Sequence, residues 1–555
     1  MYLKRIMVLV LVLILSALPS AADQDQFKKV FRDLDNELGT FNHSDDAQKQ
    51  DFETFRKAQE RAFQTFRDER DREFSEFLKA DWEAFSEMQG LVRYTTPKPK
   101  VIPKARAVPN DDSVIPKGKH IKPIEPLPAP SPEAVPQSAQ SPSTDLVPKV
   151  EKELVKPKPI QILPPVLPKH QPMPQPSHIP AHKSEPRPQL SGTLAKVMFY
   201  GLPVKVAFDP ALTAKIVGQA DNHSISTYWA TLSQADYDSL IRQLDRIKGR
   251  LLLNQWAFFQ FVENLANTVQ PDANSAVLLT WFVLTKSGYQ VKVGYSRNHI
   301  YLLAPVQGTI YEIPYYIIKG IRFYNISYLR NRSKPREIYT FKKDYPGADR
   351  LLTLVLHSTP KTHADKNVKK LTFRYGGKTY NVPAVINPNT LRFYQAYPQT
   401  NLEVYLSAPI APELETSLVG ALAKLVEGKT ETQAANVLLR FVQTAFKYQT
   451  DDEQFGHEKY MFAEETIYYP YSDCEDRAAL FGSLVRRILG LDVIGLHYPG
   501  HVATAVKFSE YVAGDAVRVN GERFVVCDPT YINADIGLTM PQFRSVRPKV
   551  VRGVP

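Results

Sequence analysis

Between residues 96 and 190 the chain places 24 of its 44 prolines, in runs such as IEPLPAPSPEAVP and QPMPQPSHIP. Each proline fixes φ and removes a backbone donor, so proline at this density supports neither a helix nor an interior strand. The stretch holds few aromatic residues and cannot bury a core; it is expected to be an extended, polyproline-rich tether. It divides the 555 residues into a charged N-terminal part and a globular part that begins near Ser191. From residue 97 to 190 there are 14 Lys/Arg against 8 Asp/Glu, so +6 of the formal net charge of +11 lies in the tether. Charge spread so thinly solvates a chain and does not make a nucleic-acid interface, and no nucleic-acid partner is expected.

Ahead of the tether, residues 1–22 combine Lys4 and Arg5, an apolar run from Ile6 to Leu18 and the small residues Ser20, Ala21 and Ala22. This is the pattern of a cleaved secretory leader, too short and wrongly flanked for a membrane span. No cysteine follows the run, so a lipid anchor is not expected, and membrane contact would need the leader to stay uncleaved. The expected location is the periplasm or the exterior. Residues 23–95 are charged and helical in pattern. Phe52, Phe63, Phe74 and Phe85 recur every eleven residues, as do Phe55, Phe66 and Phe77, and Phe41 extends the first series backwards. Eleven residues is 3.67 per turn, close to a straight helix, so the aromatic stripe needs a partner along its length. Self-association through this helix is the first expectation; docking on another protein or on the chain's own globular part is the other.

The globular part reads as residues 191–320, a β-rich segment 321–412 that includes LEVYLSAP as a strand, and residues 413–555. With 43% apolar residues the chain can form real cores. In the last part Cys474 stands where a loop becomes a helix, with Ala478, Phe481, Leu484, Val485 and Ile488 at helical spacing and Gly490 closing the run. A short apolar strand follows at 491–496, then the turn Tyr498-Pro499-Gly500. His501 opens a second strand, and a third, 523–527, delivers Asp528 just before Pro529. Thiol, imidazole and carboxylate at the edges of successive elements are what nucleophilic acyl transfer needs: the imidazole takes the thiol proton and the carboxylate fixes its tautomer. The positive end of a helix dipole is expected to make the Cys474 thiol more acidic. The only other cysteine, Cys527, should face away from Asp528's side of the strand, as a packed core residue and not a disulfide partner.

Three motifs carry a resemblance: D-C-x-D around Cys474 with Asp476, G-H-V-A-T at His501 and V-C-D-P-T at Asp528, preceded by the loop FGHEKYMFAEETIYYPYSDCEDRA. They resemble the transglutaminase-like superfamily, a papain-related α+β fold with a Cys-His-Asp triad. The resemblance covers residues 414–540. It implies Cys474 as nucleophile, His501 as base and Asp528 as orienting acid, supported by Asp476. An upstream oxyanion donor has no clear counterpart; Gln454 and Tyr471 are the candidates. The implied function is an exported cysteine peptidase or transamidase acting on an envelope protein or peptide, without cofactor or metal, since the histidines lack ligand spacing. A non-catalytic envelope scaffold that binds peptide with the same fold is the alternative, and arylamine acetyl transfer ranks last.

The same stretch also matches an earlier one. Shifted back by 202 residues, Gly490 falls on Gly288 and His501 on His299, with AVLLTWFVLTKSG under AALFGSLVRRILG. In that register Asp272 stands where Cys474 does, and Glu312 in TIYEIPYY falls one place short of Asp528. Residues 191–320 are therefore expected to be a degenerate copy of the catalytic fold, structural or substrate-holding.

Overall fold

Two antiparallel sheets, each backed by a buried helix, make an α+β protein. The computed structural model describes residues 45–93, 96–105, 192–270 and 272–553. The expected leader, Phe41 and most of the tether lie outside the described residues.

The chain enters as one long helix, α1 (Asp45–Ala80), followed by a short strand, β1 (Trp82–Ser86). After the tether a hairpin forms from β2 (Thr193–Phe199) and β3 (Leu202–Phe208). Four helices follow: α2 (Asn222–Leu232), α3 (Tyr237–Arg250), α4 (Gln255–Val269) and α5 (Ala273–Lys286). The last is apolar on every face, LLTWFVL at its centre, and is enclosed as such a helix must be. Its start is fixed by Asp272, which accepts the Ser275 N–H at 2.8 Å. Five strands form the rest of the first lobe's main sheet: β4 (Lys292–Ser296), β5 (His299–Ala304), β6 (Tyr315–Ile318), β7 (Ile321–Asn325) and β8 (Glu337–Phe341).

The second lobe opens with the hairpin β9 (Asn367–Tyr375) and β10 (Lys378–Ile386). Its turn is Gly376-Gly377, both at positive φ (54° and 72°), the pair that a two-residue hairpin turn demands. LEVYLSAP is not a strand: Leu402–Ser407 is a helix, α6, which buries Leu402, Val404, Tyr405 and Leu406. Then come α7 (Glu431–Ala445), α8 (Ala463–Tyr468) and α9 (Cys474–Leu489). The strands are β11 (Asp492–Tyr498), β12 (His501–Lys507), β13 (Ala516–Val519), β14 (Glu522–Cys527) and β15 (Lys549–Arg552).

The two sheets have one topology. In the first the order is β8-β4-β5-β7-β6, with β1 added outside β8; in the second it is β15-β11-β12-β14-β13. Every neighbouring pair is antiparallel in both. Counting strands after the buried helix, each sheet runs fifth, first, second, fourth, third. The β4–β5 turn pairs Ser296 with His299, and the β11–β12 turn pairs Tyr498 with His501, so each histidine opens its second strand across a two-residue turn. In each lobe a hairpin packs on a long helix ahead of the buried one, α4 in the first lobe and α7 in the second. The strands of 321–412 are thus no separate segment: β7 and β8 complete the first sheet, and β9–β10 covers α7 in the second lobe.

The topology also changes two pairings read from sequence. Counted from the helix start, Cys474, first residue of α9, matches Ala273, and Asp272 matches Asp473. TIYEIPYY leads into the third strand, whereas VVCDPTY ends the fourth, so the position equivalent to Asp528 is Ile326, after β7, and not Glu312. His299 is exposed while His501 is buried. The first lobe keeps neither the thiol nor the carboxylate.

The phenylalanine repeat does not run on as one helical face to residue 91. The helix stops at Ala80, and Trp82–Ser86 pairs with β8, because an open sheet edge offers a full hydrogen-bond ladder. Trp82 packs its ring 5.2 Å from both Tyr295 and Phe341. From residue 54 of α1 onward the buried positions are Arg67, Asp71, Phe74, Ser75 and Leu78, a stripe on one helical face in which three of the five are polar. It docks on the first lobe. Phe74 meets Trp229 at 4.9 Å and Tyr345 at 5.2 Å, and Asp71 accepts the Tyr237 and Tyr345 hydroxyls at 2.8 and 2.7 Å while pairing with Lys286. Phe63 remains 50% exposed. Phe74→Ala should therefore cost about 3–5 kcal/mol by chemical denaturation of the full chain. Phe63→Ala should stay within about 0.5 kcal/mol; equal costs would mean that the docked stripe is misassigned.

Candidate active site

Helix α9 divides two cores. Leu480, Phe481, Leu484, Val485 and Ile488 face the second-lobe core beneath β9–β10 and α7, while Cys474, Ala478 and Ala479 join the large core continuous with the first lobe. The thiol thus sits on the side of α9 that faces the other lobe. Below it, Arg477 is fully buried and donates to the Phe446 carbonyl at 3.0 Å and to Ser472 Oγ at 3.1 Å, which pins the first turn of the helix. Asp476 closes the turn by accepting the Asp473 N–H at 3.3 Å and the Met461 N–H at 2.9 Å, so its role is to shape the loop.

His501 opens β12 against α9, and Asp528 follows the end of β14, the strand paired with β12. The structure brings these two together. His501 Nε2 is 2.8 Å from Asp528 Oδ2, and both residues are buried. The other carboxylate oxygen accepts the Thr530 and Tyr531 N–H groups at 2.9 and 3.1 Å. Gln443 of α7 donates to the Asp528 carbonyl at 3.1 Å and fixes the loop from behind. Phe543 stacks on the imidazole with centroids 5.2 Å apart and planes 8° from parallel. With Nε2 committed to Asp528, Nδ1 is the ring nitrogen left for a thiol.

Among the described residues the Cys474 thiol donates to Glu475 Oε2, at 2.9 Å, and makes no hydrogen bond to His501. The opposite oxygen, Oε1 of Glu475, lies 2.5 Å from Lys98 Nζ. That ammonium also meets Asp473 at 2.5 Å, Glu458 at 2.8 Å and Asp451 at 3.5 Å, with its side chain 6% exposed. Carboxylate oxygens of Asp451, Asp473 and Asp476, and of Asp451, Glu458 and Glu475, lie close enough to hold a metal ion. The Lys98 ammonium supplies the positive charge there.

The expected acidic thiol is not found. Burial, followed by Glu475 and Asp473, pushes Cys474 well above its ordinary value, and Lys98 offsets only part of this. A helix dipole offers roughly half a charge, less than two adjacent carboxylates take back. Burial alone would raise Glu475 too, but the Lys98 ammonium holds it below the usual carboxylate range. Burial opposes charge on Lys98, and Glu475, Asp473 and Asp451 overcome it and raise it above its ordinary value.

Gln454 and Tyr471, the candidate oxyanion donors, form no hydrogen bond with the thiol. Among the described residues Gln454 Oε1 is buried without a hydrogen-bond partner at the end of the short helix Asp451–Gln454, and Tyr471 is half-buried in a two-residue strand beside Lys447. Cys527 is fully buried in the second-lobe core and both cysteines are free, as strand alternation required. Sequence reading missed four participants. Glu475 was in view as the unassigned residue of D-C-x-D. Asp451 and Glu458 lay in the acidic loop DDEQFGHE without a stated role. Lys98 carried no signal, being one of many lysines in a proline-rich run.

The carboxyl groups make a pH signature. Burial, then Asp476, pushes Asp451 up to about 8; burial, then Glu475, pushes Glu458 up to about 7; burial pushes Glu464, which accepts the Ala411 N–H at 2.6 Å, up to about 7. A carboxyl raised on folding binds its proton more tightly in the folded state. Its stabilising effect is complete below the unfolded value and is lost as pH rises through the folded one. The unfolding midpoint should therefore fall between pH 5 and pH 8, by roughly 1.4 kcal/mol per pH unit for each proton released. Glu464→Gln should flatten that decline, and an unchanged pH profile would contradict the burial assigned to it. Compared with models of protein families, with characterised proteins and with solved structures, the chain matches none.

Proposed function

We propose that the protein is an exported thiol enzyme of transglutaminase-like fold that cleaves amide bonds in peptides, with Cys474 as nucleophile, His501 as base and Asp528 as the acid that orients it. The observation that carries the reading is the buried His501–Asp528 hydrogen bond, beside a cysteine at the start of a helix packed on the histidine's strand. Asp528 has every acceptor contact needed to hold Nε2 protonated, so Nδ1 can take the thiol proton. The thiolate then attacks the carbonyl carbon, and backbone N–H groups at the start of α9 are the donors nearest in sequence for the developing oxygen charge. Collapse breaks the C–N bond and the imidazolium proton leaves with the amine; water then attacks the thioester with His501 again as base, the C–S bond breaks, and the acid departs as the Cys474 thiol is restored. Hydrolysis is favoured over transfer, because an acceptor amine would have to compete with water.

The shared order of the two sheets supports a further part of the reading: both lobes descend from one module, and the first kept the scaffold after losing the thiol and the carboxylate. The apolar segment at residues 1–22 supports export, to the periplasm or the exterior.

A second reading has its own observation. The thiol hydrogen-bonds to Glu475 and not to His501, as it would in an envelope scaffold that binds peptide without turnover. Peptidase assays on envelope peptides separate the two. In the enzyme, Cys474→Ala falls to the uncatalysed background with its melting curve unchanged, and Asp528→Asn loses on the order of 10²–10⁴-fold. Full activity in Cys474→Ala would end the assignment.

A further inference from the structure

We propose that Asp451, Glu458, Asp473 and Glu475 form a subsite for the side-chain ammonium of a lysine-type residue in an extended peptide substrate, and that residues 96–105 of the chain itself occupy this subsite. The proposal rests on the thiol-enzyme reading, whose groups this segment covers.

The segment touches the surroundings of all three reacting groups. Lys98 is on Glu475, next to Cys474. Gly500, just before His501, sits so close beneath the segment that a Cβ there would lie 2.9 Å from the Pro97 carbonyl oxygen and 3.2 Å from that of Thr96. Lys104 bridges to Ile532, four residues after Asp528, and the Ala105 N–H donates to the Ile532 carbonyl at 2.9 Å. Pro97 and Pro99 keep the backbone around Lys98 extended, the form in which a peptide lies along a groove. A solvating tether has no reason to follow this line. A bound peptide does.

The chemistry of the pocket selects its ligand. Four carboxyl groups, Glu475 held ionised among them, contact one nitrogen that is almost withdrawn from water, an arrangement that costs dearly unless the nitrogen is cationic and donates in several directions. A primary ammonium has three donors on a flexible stem and suits it; a planar guanidinium needs paired, coplanar acceptors. Glu475 fixes the register, because one oxygen holds the ammonium and the other the thiol hydrogen. The ammonium is recognised and does not react. Surrounded by carboxylates, its nitrogen keeps its proton and has no lone pair to offer a thioester, so the pocket selects lysine in a cleaved peptide and is not an amine-acceptor site. Leaving the pocket, Lys98 would yield Glu475 to an incoming ammonium.

The test is peptide binding to the full chain carrying Cys474→Ala, read by fluorescence polarisation, so that turnover plays no part. The probes are fluorescein-labelled Thr-Pro-Lys-Pro-Lys and the same peptide with Gln at its third position. Two further changes loosen the internal occupant: Lys98→Gln removes its ammonium, and Ala105→Glu disrupts its far anchor beside Tyr531 and Met540 while leaving the four carboxylates intact. Each should bind the lysine peptide at least ~10-fold more tightly than the parent, which pays the cost of displacing its own segment, and the Gln peptide at least ~10-fold more weakly than the lysine one. Equal binding of the two peptides, or none by a variant that melts like the parent, would overturn the subsite. So would calcium ions, in place of the peptide, raising the melting temperature of Lys98→Gln. An inert enzyme can pass this test and an active one can fail it, so the subsite and the thiol chemistry stand or fall separately.

Discussion

The Lys98 ammonium among buried carboxylates is the interaction on which the site depends. Asp473, Glu475 and Asp476 crowd the first turn of α9, and Asp451 and Glu458 come in from the preceding loop. Without that cation Glu475 would not stay ionised away from water; the carboxyl groups around it are already pushed up by burial. Glu475 links that charge balance directly to the thiol. The state of the Cys474 thiol and the position of residues 96–105 are therefore one electrostatic problem.

The architecture places that problem where two similar modules meet. Each lobe offers a hairpin, a covering helix, a buried helix and a five-stranded antiparallel sheet of the same order. The second uses the start of its buried helix, the start of its second strand and the end of its fourth to carry thiol, imidazole and carboxylate. In the first, the same positions hold Ala273, exposed His299 and Ile326. What the first lobe supplies is support: its core is continuous with Cys474, Tyr460 and Phe462, and it anchors α1 and β1, from which the covering segment departs.

Much of this was legible in the residues. The run from Cys474 to Gly490 has a clear helical period with a breaker at its end, and the Pro-Gly turn ahead of His501 marks a strand start. The near repeat at a spacing of 202 residues placed Gly288 and His299 on the matching elements, and the sheet order agrees with it. The errors came where tertiary partners outweighed local pattern. The phenylalanines of α1 suggested an aromatic stripe, whereas the docked face is set by Asp71 and Arg67 as much as by Phe74, since the receiving surface offers Tyr237, Tyr345, Lys286 and Asp238. LEVYLSAP has strand-like alternation but folds as α6 because its apolar residues bury against α9 and β15. Proline content marked residues 96–105 as tether; an extended chain without internal hydrogen bonds is equally suited to lie in a groove, and composition does not distinguish these outcomes. The helix-dipole argument for an acidic thiol failed because it omitted the burial of the thiol first and the neighbouring Glu475 and Asp473 second.

The account turns on Cys474 and His501 acting as a pair once the site is open. The most direct measurement is the rate of alkylation of each cysteine by iodoacetamide across pH 5 to 9, mapped by mass spectrometry in the Ala105→Glu chain, which keeps the Lys98 ammonium, with and without His501→Ala. The account predicts that Cys474 reacts near neutral pH, that Cys527 does not, and that loss of the imidazole shifts the Cys474 profile upward. Alkylation of Cys474 that is indifferent to His501, or no faster than that of Cys527, would contradict it.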